Sequence, residues 1–266
     1  MKLTVVIPTR NEEANIANCI GSFESFRDSV EIIVVDNASS DRTKEIAASL
    51  GAKVFDKGPE RCAQRNAGWR AASQDWVMFV DADMMLPHDT TSRLLSVISS
   101  AEGADAYWIP ETRSGGGLRV KARNFERSFY DGTCIDGLRV IKRSLLEAVG
   151  GYDESLVACE DWDLDRRLVA VGARTALLDR GLVHNEARQG LRRLLSKKAY
   201  YAKSIDAYRS KWNNDLIVRR QFGVWYRFFF VFVENGKWKR LLRHPVLAAV
   251  MYFERVLVGF TYLFNR

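Results

Sequence analysis

The apolar positions in the first hundred residues fall into short solid runs. Leu3-Thr4-Val5-Val6-Ile7, Glu31-Ile32-Ile33-Val34-Val35, Lys53-Val54-Phe55 and Trp76-Val77-Met78-Phe79-Val80 each read as a strand. Continuous apolar runs, in place of alternation, are what strands buried on both faces of a parallel sheet require. Between the runs the period changes. Ile16, Cys19, Ile20 and Phe23 recur at helical spacing, a second helix is expected from about Arg42 to Leu50 before Gly51, and a third from Arg61 to Ala72. Strand and helix alternating through short loops predict a doubly wound, mainly parallel α/β sheet flanked by helices.

Farther on, the pattern predicts a strand over Ala104–Ile109 closed by Pro110 and a helix over Val120–Tyr130. A strand from Gly137 to Arg143 then enters a short helix ending at Gly150-Gly151, a helix opens at Glu160-Asp161, and a short strand spans Arg174–Leu178. From Arg188 onward helices take over: a basic amphipathic stretch from Leu191 to about Trp212, an aromatic block from Phe222 to Val233, and a last helix over Val246–Phe264 opened by Pro245. The chain therefore divides into a sheet domain, residues 1–187, and a helical extension, residues 188–266.

Charge sharpens that division. The 266 residues carry 40 Lys+Arg and 33 Asp+Glu, a net +7, yet residues 188–266 alone hold 17 basic and 4 acidic side chains, a net +13. A basic, aromatic tail on an acidic domain suggests an anionic partner surface. Its apolar runs are shorter than the roughly 18 uncharged residues of a spanning helix. Rings interleaved with cations suit an interfacial helix on anionic lipid, and the clustering of the aromatics disfavours nucleic acid. A helical subdomain packed on the sheet is the plainer alternative. Strand β-pattern begins almost at Met1 with no leader pattern before it, so a cytoplasmic location is expected. The four cysteines, Cys19, Cys62, Cys134 and Cys159, form no Cys-x-x-Cys pair and are expected to be reduced thiols.

The chemistry collects just past the strands. Glu12, Asp36 and the pair Asp81/Asp83 all follow strand C-termini, the edge where ligands bind in open α/β sheets. Two carboxylates one residue apart can hold a hard divalent cation that also meets substrate phosphates, or can form a solvated acidic turn. No Gly-x-Gly-x-x-Gly follows the first strand and no Gly-x-x-x-x-Gly-Lys occurs, so a nucleotide diphosphate would lack a glycine cradle and need a metal to neutralise it.

Pro8-Thr9-Arg10-Asn11-Glu12, Asp36-Asn37-Ala38-Ser39-Ser40-Asp41, Arg65-Asn66-Ala67-Gly68 and Asp81-Ala82-Asp83 resemble the successive signatures of family 2 glycosyltransferases. Gly150-Gly151-Tyr152-Asp153-Glu154 followed by Glu160-Asp161 resembles that family's second landmark. The resemblance implies a GT-A fold and a nucleotide-sugar donor. It implies that Pro8, Thr9, Arg10, Glu12, Asp36, Arg65, Asn66, Asp81 and Ala82 form the nucleotide-sugar site, with Asp81 shared between ribose and metal. Asp83 would bind Mg²⁺ or Mn²⁺. His184, some twenty residues past the Glu-Asp pair where many relatives carry a histidine, would complete the metal or diphosphate site; taken alone it reads as a packed or exposed histidine. Asp161 would be the general base that takes the proton of an acceptor hydroxyl, and Glu160 would help to orient the acceptor. Asp163 and Asp165 are expected to face solvent or Arg166/Arg167.

The expectation is thus a metal-dependent, inverting glycosyltransferase acting on a lipid-linked or other saccharide acceptor at the cytoplasmic face of a membrane, attached peripherally or monotopically. A polyprenyl-phosphate sugar synthase, whose acceptor phosphate needs no base, and a non-catalytic membrane-associated scaffold are the alternatives. The glycine run Arg113–Arg119 is either a lid over an anionic ligand or a plain loop.

Overall fold

The computed structural model describes residues 3–100, 103–185 and 205–264. Seven strands form one sheet in the order β3-β2-β1-β4-β8-β6-β9: β1 (Leu3–Thr9), β2 (Val30–Asp36), β3 (Lys53–Asp56), β4 (Trp76–Phe79), β6 (Ala106–Trp108), β8 (Val140–Lys142) and β9 (Thr175–Leu177). The first four run parallel, β8 lies antiparallel to both β4 and β6, and β9 is parallel to β6. The expected doubly wound, mainly parallel sheet is present.

Successive side chains of a strand point to opposite faces, and each face is covered. Val5, Ile7, Val34 and Met78 pack with Ile16, Cys19 and Ile20 of α1 (Ile16–Gly21), Ala47 of α2 (Thr43–Ser49) and Leu94 and Ile98 of α4 (His88–Ile98). Val6, Val35, Val77 and Phe79 pack on the other side with Trp69 of α3 (Arg61–Arg70), Leu146 of α6 (Arg143–Val149) and Leu164 and Leu168 of α7 (Glu160–Ala170). Gly68 sets how close α3 comes: a Cβ there would lie 2.2 Å from Val6 Cγ1, so only glycine lets the helix seat against β1.

Register positions the site. Thr9 pairs with Asp36 and Asp36 with Asp56, so the parallel strands end level, and the chain leaving β4 continues beside β1 through a bond from Val80 N–H to Val6 C=O. A second sheet of three short strands sits at this edge in the order β5-β10-β7: β5 (Met84–Met85), β10 (Leu182–His184) and β7 (Glu111–Arg113). The hydrophobic pattern revealed none of these three, because two or three residues are too few to show a period. It missed α4 as well.

The helical extension is only partly as expected. Residues 186–204, including Arg188 and most of the basic stretch from Leu191, lie outside the described residues. Beyond them come a helix over 205–211, then Leu216–Phe222, a π-helical turn Tyr226–Phe230 and Trp238–Arg243. The last helix, Pro245–Phe264, packs along α5 (Leu118–Arg127). Phe129 and Ile135 share a small core with Tyr226, Val231, Phe232 and Met251. Among the described residues no helix is long and apolar enough to cross a membrane.

Candidate active site

The small sheet gathers side chains from three distant places. Asp83 immediately precedes β5, His184 ends β10 opposite Met84, and Glu111 opens β7 opposite Leu182, two residues before His184 on the same face. His184 Nε2 lies 3.1 Å from Asp83 Oδ2, and its Nδ1 lies 2.9 Å from Glu111 Oε1. Burial disfavours a charged imidazole, but the hydrogen bonds to Asp83 and Glu111 outweigh it and lift His184 to about 10. Burial likewise works against the charge of Glu111, yet His184, Arg139 and Arg127 hold it down near 2. Asp83 and His184 are both of the donor types that a divalent cation takes, but among the described residues no group of three or more such side chains is gathered, so water or a ligand's own oxygens would have to complete a cation's coordination there.

Arg65 is the second organising group. α3 inserts it beneath the sheet edge, where its side chain is nearly fully buried. One nitrogen reaches Asp161 Oδ1 at 2.8 Å and lies 3.7 Å from Glu160, the other reaches Asp81 Oδ1 at 3.4 Å, and the guanidinium lies over the Tyr152 ring. Burial opposes its charge, but Asp161, Asp81 and Glu160 overcome that and keep it firmly cationic. Asp81 is partly buried, and Arg61, Arg65, Arg139 and His184 outweigh its desolvation and bring its carboxyl well below the usual range. Glu160 goes the other way. Desolvation and the neighbouring Asp161 charge push it to about 7 in spite of Arg65. The two acids open α7, whose N-terminus favours negative charge, and the residue before them, Cys159, sits at φ +63°. Asn11 and Ala38, in the loops after β1 and β2, also have positive φ. Strained backbone of this kind tends to cluster at functional sites.

Beside Arg65 lies a cavity of about 140 Å³, walled by Arg65, Arg127, Arg139, Asp136 and Asp161 and by the rings of Phe79, Tyr152 and Trp162. The Asp161 side chain is 39% exposed, so it can meet a ligand while Arg65 holds one of its oxygens.

The other expected residues divide. The loop after β1 is laced to the loop after β2: Asn11 N–H donates to Ser39, Ser40 N–H to Asn11, and Glu12 N–H to Thr43 Oγ1. Arg10 is exposed on this rim, Pro8 and Thr9 are buried beneath it, and Thr9 Oγ1 has no partner. Three of the expected residues are engaged within the protein itself. Asp36 is fully buried, with both oxygens engaged by Ser39, an arrangement that shapes the loop after β2. Asn66 spends its amide on both backbone groups of Tyr152, on Glu154 and on Trp69. It braces α3 against the Gly150-Gly151 turn, where a Cβ on Gly151 would strike its Oδ1 at 2.5 Å. The Ala82 methyl is packed in the core, leaving only its backbone to the site. Asp163 and Asp165 also turn inward. Asp163 meets Arg167, as expected, but also Lys211 and Trp212; Asp165 accepts from Leu138 N–H and Trp108 Nε1. The sequence reading missed Glu111, Arg127, Asp136 and Arg139. An acid directly after the strand-closing Pro110 was the one available signal.

Residues 4–151 match the family model described as glycosyl transferase family 2. The chain is 30% identical over 228 residues to the pre-mycofactocin glycosyltransferase of Mycobacterium tuberculosis, an alignment that takes in 76% of this chain and 46% of that protein; the chain thus spans about half the length of that relative. Among solved structures it resembles the mannosyltransferase PcManGT from Pyrobaculum calidifontis in complex with GDP-Man and Mn²⁺, at TM-score 0.64 and 19% identity over 96% of this chain and 80% of that one. It also resembles glucosyl-3-phosphoglycerate synthase from Mycobacterium tuberculosis in complex with Mn²⁺, UDP and glucosyl-3-phosphoglycerate, at TM-score 0.53 and 22% identity over 77% of this chain and 78% of that one. These likenesses establish the GT-A fold.

Proposed function

The chain belongs to glycosyl transferase family 2, and we propose that it moves a sugar from a nucleoside-diphosphate sugar to an acceptor hydroxyl, with inversion and with help from Mg²⁺ or Mn²⁺. The observation that carries this reading is the Arg65 guanidinium, which joins Asp81 at the strand edge to Asp161 at the start of α7. One buried cation thereby fixes the donor-side carboxylate relative to the carboxylate that borders the cavity.

Asp83 and His184 would hold the divalent cation, with Asp81 beside them. When bound, that cation supplies positive charge to the leaving diphosphate. The chain's own residues do the rest. The laced loops after β1 and β2 form the wall on which the nucleoside would rest, and Thr9 Oγ1 is an unspent hydroxyl there. The acceptor would sit in the cavity, where Trp162 and Tyr152 offer rings to a sugar face and Asp136 an acceptor for hydroxyls. Asp161, with Oδ1 held by Arg65, takes the proton of the attacking hydroxyl on its other oxygen. Glu160, pushed up to about 7, carries only part of its charge at neutral pH and so lessens the repulsion on Asp161.

The three arginines on the cavity wall favour one competing acceptor, a phosphate already ionised at neutral pH. Asp161→Asn separates the two. Loss of transfer with donor binding intact supports a hydroxyl acceptor; near-normal turnover would favour the phosphate.

The last helix supports a membrane-facing role. Its charges turn inward, Glu254 to Arg119 and Arg123 and Arg255 to Glu126, while Val246, Phe253, Val256 and Leu257 face outward. Trp225 (70% exposed) and Leu242 (71%) extend the apolar surface, with Arg219, Lys239 and Arg243 nearby in sequence. Apolar groups outside and cations at the rim match an anionic lipid surface, and the acceptor is then lipid-linked. Flotation with vesicles containing anionic lipid tests this: co-flotation at low salt that weakens as salt rises is expected, and a protein left at the bottom of the gradient contradicts it.

A further inference from the structure

The small sheet contains one group that the proposed mechanism leaves idle. Glu111 is largely enclosed, its side chain 12% exposed, and it carries three polar contacts on its two carboxylate oxygens. Oε1 faces His184 Nδ1 at 2.9 Å, and Oε2 faces Arg139 at 2.9 Å and Arg127 at 3.6 Å. Arg127 in turn reaches Asp136 at 3.1 Å, and Arg127, Arg139 and Asp136 all border the cavity.

From this geometry we propose that Glu111 is a positioning residue: it fixes the imidazole of His184 so that Nε2 faces Asp83, and it ties that ring to the arginines of the acceptor cavity. The inference rests on the reading that Asp83 and His184 hold a divalent cation.

The physical argument has two steps. A histidine that binds a metal through one ring nitrogen needs its other N–H bonded to an acceptor, which fixes both tautomer and ring orientation. Glu111 accepts at Nδ1 on the side of the ring opposite Asp83. Nε2 is thereby left as the nitrogen presented to the cation. The second step concerns what holds Glu111. Two guanidiniums engage its far oxygen, so its carboxylate cannot turn without disturbing Arg139 and Arg127. A ligand that enters the cavity and rearranges those arginines then pulls on the group that orients His184. Donor-side cation and acceptor pocket are in this way connected through a single carboxylate, along β7 and α5.

The test is cation affinity, read from the free-ion electron paramagnetic resonance signal of Mn²⁺ in titrations of the full chain, with Mn²⁺ alone and with saturating UDP or GDP. Glu111→Ala is expected to weaken Mn²⁺ binding about 10–100-fold, the usual range for an outer-shell partner of a metal-bound histidine. Glu111→Gln keeps an oxygen to accept from Nδ1–H and should recover most of that loss. In a His184→Ala background, Glu111→Ala should add nothing, because the residue acts through the ring. Wild-type affinity in Glu111→Ala, or an equal fold loss with and without His184, overturns the inference. Failure of the wild-type chain to bind Mn²⁺ under any of the three conditions, or full affinity in His184→Ala, instead removes the cation reading on which the inference stands. Should Glu111→Ala not fold, Glu111→Leu, which likewise cannot accept from Nδ1–H, gives the same cycle with and without His184: a loss that persists without the ring contradicts the proposal.

Discussion

Two pairs of carboxylates face each other across Arg65, and their surroundings drive them apart. Asp81 and Asp83 follow a strand, and Asp81 is held ionised by Arg61, Arg65, Arg139 and His184 in spite of its partial desolvation. Glu160 and Asp161 begin a helix, and burial together with the Asp161 charge lifts Glu160 to about 7. Asp81 is therefore suited to stay charged at the strand edge. In the helix pair Glu160 is only partly ionised at neutral pH, which lessens the repulsion beside Asp161 and suits the pair to proton transfer. Pairs of titratable groups whose environments separate their pKa values mark acid–base assignments, and here the same residue types receive different work from position alone.

The contrast is most strongly challenged at Asp161. Asp161→Asn keeps size and hydrogen bonding but cannot take a proton. It is expected to lower kcat by about 10²–10⁴-fold, the range for loss of a positioned base, with donor KM little changed; steady-state kinetics on a hydroxyl acceptor checks this. Removing the bridge between the pairs is next. Arg65→Met leaves Asp81, Glu160 and Asp161 without their shared buried cation and should cost about 3–5 kcal/mol of stability, measured by urea unfolding. Arg65→Lys should lose less stability but cannot span both carboxylates with separate nitrogens.

A smaller effect sharpens the helix side. Glu160 binds its proton more tightly folded than unfolded, where its value is near 4.5. Between about pH 4.5 and 7 the folded state therefore holds the extra proton, and stability contributed by this group falls as pH rises through that window. The full swing is at most on the order of 3 kcal/mol. Glu160→Gln should flatten the fall, seen as unfolding midpoints in urea that change less between pH 5 and pH 7. An unaltered slope would mean that Glu160 is not the group that titrates there.

The strand side of this comparison was readable in the sequence and much of the helix side was not. Solid runs such as Trp76–Val80 can hardly be anything but buried strands, and Asp81 and Asp83 follow one directly, so chain order alone places them at the edge. Asp161 was readable only through its resemblance to a known landmark. Glu111 and Arg139 were invisible because they depend on pairing across 28 to 73 residues, and β7 and β10 are three residues each. The partners of Asn66 were hidden for a related reason: sequence reveals that a polar residue stands in a motif, but not that Tyr152 and Trp69 engage its amide. Nor does sequence show that the Asp36 oxygens are taken by Ser39 three residues on. The last helix showed both apolar and charged residues, while the inward turn of Glu254 and Arg255 required the partners on α5.

The central claim is that the two carboxylate pairs divide the labour, one binding the donor through a cation and the other moving the proton. Thermal unfolding with and without Mn²⁺ plus UDP or GDP tests it most directly, since a ligand at 100 times its Kd stabilises a fold by about 2.7 kcal/mol. Wild type and Asp161→Asn should be stabilised alike, and Asp83→Ala should lose the Mn²⁺-dependent shift. Stabilisation of Asp83→Ala equal to wild type, or its loss in Asp161→Asn, would contradict the division.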